Sequence, residues 1–312
     1  MMKRVLILLS TYNGERFLAE QLDSLYTQEG VDIHVLVRDD RSTDNTVTIL
    51  EDYQNRYGNM TVLKGENVGA GPSFMLLIKE AAENHKGYDY YAFCDQDDVW
   101  FPNKMVLGVN ALEESSRERK LFFCSAIKTD VDLHPIVSYR LRQVNSFGAN
   151  LVANHIMGCC MMFNGKLLED INKINTEAIS VPNGLIPLHD SWAAAVAYAL
   201  DAEIIQNRAA LMYYRQHGHN VIGSRQGFLS IQLSRIKRHL KNASYTKSNR
   251  CIIALQVLGS EIPEKNRFLM ELVASYRENW KSKVRLLLDS RMYEYGILDN
   301  IETFIALLFN KF

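Results

Sequence analysis

A chain of 312 residues, 47% hydrophobic and 23% charged, is long enough for one large core or two modest ones and lacks the polar excess of a disordered chain. Its net charge of −1 leaves no whole-molecule electrostatic case for nucleic acid, which is excluded as a partner. The five cysteines, Cys94, Cys124, Cys159, Cys160 and Cys251, are odd in number and form no C-x-x-C pair; neither a disulfide framework nor a zinc site is indicated, and buried reduced thiols in a cytoplasmic protein are expected.

Val5 to Leu9 is a continuous apolar run, as in a parallel strand covered on both faces. It ends at Ser10-Thr11-Tyr12-Asn13, too soon for a signal-peptide core. No later stretch reaches the roughly 18 apolar residues of a membrane span, so a soluble or peripheral protein is expected. Glu15 to Tyr26 reads as a helix with Leu18, Leu22 and Leu25 on one face. Ile33 to Val37 is a second strand, ending at Arg38-Asp39-Asp40. Ser42-Thr43-Asp44-Asn45 offers caps for a second helix. Met60 to Leu63 is a third strand, and Pro72-Ser73 opens a helix to about Asn84. Tyr88 to Cys94 is a fourth strand, followed by Asp95-Gln96-Asp97-Asp98-Val99-Trp100.

Alternating strands and helices imply a largely parallel open sheet, in which ligands bind beyond the carboxyl ends of the strands. Three polar clusters fall there: Thr11-Tyr12-Asn13-Gly14-Glu15, Asp39-Asp40 and Asp95-Asp97-Asp98. The second half is less regular. Leu121 to Ile127, Ile156 to Phe163 and Ala210 to Tyr214 read as strands, Asp190 to Leu200 as an Ala-rich helix, and the chain from Phe228 onward as mainly helical.

Each cluster has a structural and a chemical reading. Thr11 to Glu15 stands where a dinucleotide fold would carry G-x-G-x-x-G, but one glycine cannot admit a pyrophosphate as that motif does. Its hydroxyls, the Asn13 amide and the Glu15 carboxylate suit a base or ribose, or merely a helix start. Asp39 and Asp40 can accept from an imide N–H or a ribose hydroxyl. Asp95, Asp97 and Asp98 have no cation before Lys104. Such a group suits a hard divalent ion with positions left open for phosphate oxygens. Asp190, in Leu188-His189-Asp190-Ser191-Trp192, is a helix cap or a general base. In Tyr214-Arg215-Gln216-His217-Gly218-His219-Asn220, a histidine can complete a metal shell and Arg215 can take phosphate oxygens. From Ile204 through Ser260 there is no Asp or Glu but nine Lys or Arg. Within it Leu229, Leu233, Ile236 and Leu240 keep helical spacing. The stretch is either a packed helix with a basic back or a surface for anionic lipid headgroups or a lipid-linked diphosphate.

In order, S-T-Y-N-G-E, D-D-R-S-T-D-N-T, C-D-Q-D-D-V-W-x-P-N-K, H-D-S-W and Y-R-Q-H-G-H-N resemble the family 2 glycosyltransferases over roughly residues 3–223. The D-Q-D-D-V-W form with H-D-S-W and R-Q-H-G looks most like bacterial rhamnosyltransferases of cell-surface polysaccharide synthesis. The resemblance implies an α/β fold of GT-A type, with a Rossmann-like nucleotide-binding half on a mixed central sheet, over 1–223; the helical extension over 224–312, expected to be membrane- or acceptor-associated, lies outside it. It implies an inverting, metal-dependent hexosyltransferase using Mn2+ or Mg2+. Its donor would be dTDP-rhamnose or a UDP-sugar and its acceptor a glycan or a polyprenyl-diphosphate-linked saccharide, at the cytoplasmic face of the membrane. Thr11, Tyr12, Glu15 and Asp40 would contact the nucleoside, with Asp39 nearby. Asp97 would touch ribose or donor sugar, Asp98 would ligate the metal, Asp190 would be the base, and His217 would meet metal or diphosphate. His219 departs from the related pattern. A catalytically silent sugar-nucleotide or glycan-binding module and a nucleotidyltransferase are the alternatives, the latter lacking a basic residue in its first loop; a NAD-dependent oxidoreductase lacks the glycines.

Overall fold

The computed structural model describes residues 2–139, 146–152, 156–176, 187–217, 247–294 and 296–312. Strands β1 (Lys3–Thr11), β2 (Val31–Asp39), β3 (Met60–Lys64) and β4 (Tyr90–Cys94) alternate with helices α1 (Leu18–Tyr26), α2 (Thr46–Tyr57) and α3 (Ala70–Asn84). Then come β5 (Val99–Trp100), α4 (Lys104–Glu113), β6 (Lys120–Thr129), β7 (Pro135–Tyr139) and α5 (Phe147–Val152). A 3-10 turn at Gly158–Cys160 leads into β8 (Met161–Asn164) and α6 (Gly165–Thr176). After α7 (His189–Ala199) and β9 (Glu203–Arg215), the chain ends in α8 (Lys247–Leu258), α9 (Glu264–Ser275), α10 (Trp280–Leu287) and α11 (Ile297–Leu308).

The strands form one mixed sheet in the order β3-β2-β1-β4-β8-β6-β9-β5, with β7 paired to β6. Pairs among β1 to β4 are parallel, β8 runs antiparallel to both β4 and β6, and β9 is parallel to β6. Val5 to Leu9 are wholly buried, so no residue of the run points at water, as expected of a parallel strand covered on both faces. The register sets Thr11 beside Asp39 and Leu9 beside both Val37 and Cys94. Three strands therefore stop at one edge and deliver their polar successors side by side.

Several boundaries differ from the sequence reading for local reasons. α1 starts at Leu18 rather than Glu15, because the Glu15 carboxylate is taken by the Asn45 amide and side chain and its own N–H by Asp44. The strand expected over 156–163 shrinks to Met161–Asn164, and Gly158–Cys160 form a tight turn. β9 runs from Glu203, longer than expected, since it must span both β6 and β5. All five cysteines are buried and unpaired. Among the described residues no helix is long and apolar enough to cross a membrane.

Of the basic stretch 204–260, the central part with Leu229, Leu233, Ile236 and Leu240 lies outside the described residues. In the described part, Arg215 and Arg250 are buried and Lys247 donates to the Val152 carbonyl; Arg208 is exposed. That part faces protein more than solvent. The last helices are tied to the sheet by a charge cluster. Arg119 Nε lies 2.6 Å and Lys173 Nζ 2.7 Å from the buried Asp170 carboxylate, and both cations also reach Glu261 after α8. Asp170→Ala leaves both cations partly buried without their central partner. It should cost about 3 kcal/mol of unfolding free energy in a urea titration; a loss below about 1 kcal/mol would mean that Glu261 alone satisfies them.

Candidate active site

The loops beyond β1 and β2 brace one another. Asp39, 2% exposed, accepts from Thr11 Oγ1 at 3.0 Å, from Ser42 Oγ at 2.6 Å and from Ser42 N at 2.9 Å. Asn13, held at φ 46°, takes the Thr43 amide on Oδ1 at 2.8 Å. Asp44 accepts from the amides of Glu15 and Thr46. Asp40 is equally enclosed: Oδ1 accepts from Arg38 Nη1 at 2.5 Å and Val68 N at 2.9 Å, and Oδ2 from Gly69 N at 2.8 Å. Asp39, Asp40, Asn13 and Glu15 therefore brace the loops beyond the strand ends, while Tyr12, 48% exposed, presents its ring to solvent.

The end of β4 is reached through Gln96, whose amide clasps the Tyr12 backbone, accepting from N at 2.9 Å and donating to O at 3.1 Å. Beyond it the three carboxylates separate by environment. Asp98 is wholly buried; Oδ1 accepts from the Arg215 amide at 3.3 Å and Oδ2 has no partner. Asp97 is partly exposed and its Oδ2 lies 2.6 Å from His217 Nε2. The His217 ring stacks on Phe17, centroids 5.0 Å apart. Asp95 is half-buried; burial first, then the neighbouring Asp97 and Asp190 charges, pushes its carboxyl up to about 7. Burial with Asp97 and Asp95 likewise drives Asp98 well up.

Asp98, expected on a metal, is buried with one oxygen unpartnered, and the residue facing His217 is Asp97. One expectation is redirected by this geometry. Arg215, expected to meet phosphate, is 2% exposed and has its guanidinium filled by protein. Nε donates to the Asp97 carbonyl at 2.8 Å, Nη1 to the Val131 carbonyl and Nη2 to Glu20. It is a strut that fixes the acidic loop, because a buried guanidinium must spend its donors on internal acceptors. His219 lies outside the described residues.

Asp190 comes from across the sheet, in the first turn of α7, where the helix dipole favours a carboxylate. The cap is Leu188, so Asp190 is not the cap residue. Its Oδ1 takes the Ser191 amide at 2.5 Å, and its charge is felt at Asp95. Behind it His189 is sandwiched on Phe74 at 3.8 Å and edge-on to Phe93 at 4.8 Å, with both ring nitrogens unpartnered. Burial lowers its pKa to about 4, so the ring is neutral. Gly158 fits against it: a Cβ there would lie 2.6 Å from His189 Nε2 and 3.3 Å from Asp190 Cβ. Sequence reasoning missed Asp44, Gln96, Phe17, Glu20 and the Gly158 turn. Only contacts across the fold reveal them, although Gly158 beside paired cysteines was a legible break in a strand pattern.

The residues present fit a hard divalent ion. Asp95, Asp98 and Cys159 offer ligand atoms within 4.8 Å of one another, and the orphaned Asp98 oxygen lacks the cation that a buried carboxylate needs. Cys159 contributes little: against a hydrogen bond to Cys160, burial and the Asp98 and Asp95 charges push its thiol up, so it stays protonated. That leaves the carboxylate oxygens of Asp95 and Asp98, donors suited to a hard divalent ion rather than zinc.

The sequence pattern of Glycosyl transferase family 2 matches residues 6–171. The dTDP-rhamnosyl transferase RfbG of Shigella flexneri is 31% identical over 230 residues, which cover 70% of this chain and 75% of that protein. An uncharacterized glycosyltransferase of Rickettsia prowazekii, RP339, is 28% identical over 173 residues, 54% of this chain and 52% of that protein. Among solved structures, residues 1–349 of S. aureus TarS in complex with UDP-GlcNAc superpose with a TM-score of 0.55 at 17% identity, covering 97% of this chain and 90% of that one. At that identity the likeness concerns the fold, which is that of the GT-A glycosyltransferases.

Proposed function

The chain belongs to glycosyl transferase family 2, and from that premise we propose that it transfers a sugar, with inversion, from a nucleoside-diphosphate donor to a hydroxyl of a glycan or lipid-linked saccharide. The observation that carries the reading is the placement of Asp190 across from the acidic end of β4, close enough for the two to interact electrostatically. One partly exposed carboxylate then faces the space where an acceptor would lie, opposite a cluster suited to a diphosphate and its counter-ion.

In this reading Tyr12 stacks on or borders the base, and the braced loops of β1 and β2 hold ribose and nucleoside in place. Asp97 and His217 would hold the ion on the open side, with Asp95 and Asp98 behind them. A divalent ion bound there would supply positive charge opposite the departing diphosphate. Asp190 receives the acceptor's hydroxyl proton on its free oxygen as that hydroxyl's oxygen bonds to the anomeric carbon and the carbon–diphosphate bond breaks. A single displacement of this kind inverts the anomeric centre. The relative RfbG favours dTDP-rhamnose over a UDP-sugar as donor. The helices after residue 223 would serve a lipid-linked acceptor at a membrane surface.

The test is a thermal-shift series with dTDP-rhamnose and UDP-sugars, with and without Mn2+, at pH 5.5 and pH 8. The Asp95 carboxyl, raised to about 7, binds a proton in the fold that the unfolded chain releases near pH 4. That contribution to stability is present at low pH and lost as pH rises through about 7. The neutral His189, with its lowered pKa, works oppositely over an overlapping window, so the ion-dependent part is the readout. Mn2+ should raise Tm more at pH 8 than at pH 5.5, and dTDP-rhamnose should add to the rise selectively. Equal shifts at both pH values would remove Asp95 from the ion site. A shift confined to UDP-sugars would overturn the donor.

A further inference from the structure

Lys104 opens α4, nine positions after Asp95, and is 1% exposed. A buried ammonium ordinarily sits against a carboxylate, yet none of the ion pairs among the described residues includes it. Its Nζ donates to the Cys159 carbonyl at 2.5 Å, lies 3.6 Å from Met212 Sδ and stands 3.2 Å from the centroid of the Trp100 ring.

These contacts lie on three separate segments. Trp100 is in β5, directly after the acidic cluster. Met212 is in β9, three residues before Arg215 and five before His217. Cys159 is in the turn whose Gly158 leaves no room for a Cβ beside His189 and Asp190. One buried charge thus ties together the acid cluster, the strand leading to His217 and the wall behind Asp190. The ammonium also lies close to the acid cluster: Cys159, whose carbonyl it meets, has its ligand atom within 4.8 Å of those of Asp95 and Asp98. A methionine would fill the same space and cover the same indole at no desolvation cost. A lysine here keeps a charge where packing alone would favour none.

We propose that Lys104 is a positioning residue of the transfer reaction: its ammonium sets the separation between the acidic end of β4 and the Asp190 segment, and acts as a standing internal counter-charge beneath Asp95 and Asp98. This rests on the reading of those groups as ion site and base. A fixed cation beneath the cluster makes the carboxylates tolerable between turnovers and also weakens their hold on a divalent ion, which favours release of the ion with the product diphosphate.

The test uses the full chain with Lys104→Met, and with Lys104→Gln, which keeps a donor for the Cys159 carbonyl without the charge. Mn2+ affinity is measured at pH 8 by the loss of the free-ion electron paramagnetic resonance signal, beside kcat and the donor KM. Both variants should bind Mn2+ several-fold more tightly than wild type, because a like charge has been removed. Both should lose at least tenfold in kcat with donor KM within about twofold, and Gln should be closer to wild type in stability. A purely structural role predicts weaker ion binding that follows the loss of stability. Unchanged or weaker Mn2+ affinity in a folded variant, unchanged kcat, or failure of both variants to fold would each overturn the proposal. Full wild-type turnover in EDTA would sink the ion reading by itself, and the kcat comparison would still decide whether Lys104 positions Asp190.

Discussion

Asp190→Asn should lower kcat by about 10³-fold while leaving donor affinity within about twofold. A positioned general base contributes roughly 10² to 10⁴ in rate. Asn is nearly isosteric and can keep the carbonyl oxygen that takes the Ser191 amide, so the first turn of α7 has no reason to move. What disappears is the acceptor for the hydroxyl proton. A second consequence separates this from simple damage. The Asp190 charge is one of those that raise Asp95, so its removal should lower the pH at which Mn2+ binding reaches half its maximum. A variant keeping more than a tenth of wild-type turnover would remove Asp190 from the chemistry. Lost turnover with an unshifted ion-binding profile would separate Asp190 from the acidic cluster.

The legibility of this site in sequence follows from which contacts are local. The strand ends at Thr11, Asp39 and Cys94 follow from apolar runs that stop, and a parallel register then aligns them without further information. That is why the three polar clusters could be placed at one edge. Their internal roles could not be read. Asp39 and Asp40 look alike in sequence. Asp40 is nonetheless clamped by Arg38 and two amides after β3, and Asp39 by Thr11 and Ser42, partners up to 29 residues away. The division of labour between adjacent carboxylates was not legible for a related reason. Beyond the end of β4, Asp97 and Asp98 point to different environments. Which one turned inward was decided by the Arg215 amide, 117 residues away. The Gly158 turn was read as strand because its neighbours are apolar, and apolar content does not distinguish a buried turn from a buried strand.

That inward and outward division of the acidic cluster makes the second large prediction asymmetric. Asp97→Asn should lower kcat by about 10² to 10³ and make the remaining activity insensitive to EDTA, with little change in stability. Asp97 is partly exposed and faces His217 at 2.6 Å. The ion it would help to hold accounts for several kcal/mol of charge stabilisation, and each 1.36 kcal/mol is a factor of ten. His217→Ala should weaken Mn2+ binding about tenfold or more and cost less in kcat at saturating ion, because the carboxylates remain. Asp98→Asn is a different case. Its Oδ1 accepts from a backbone amide and its Oδ2 is buried without a partner. Asn removes the cost of burying a carboxyl that burial and its acidic neighbours drive well up, so the ion-free protein should melt at a higher temperature while binding Mn2+ less tightly. Opposite signs of stability and ion affinity at Asp98, beside unchanged stability and lost activity at Asp97, would be hard to obtain from an acidic surface turn. If wild-type turnover is complete in EDTA and Asp97→Asn is fully active, the carboxylates do not serve an ion, and the positive charge beside them comes from protein cations, Lys104 and Arg215.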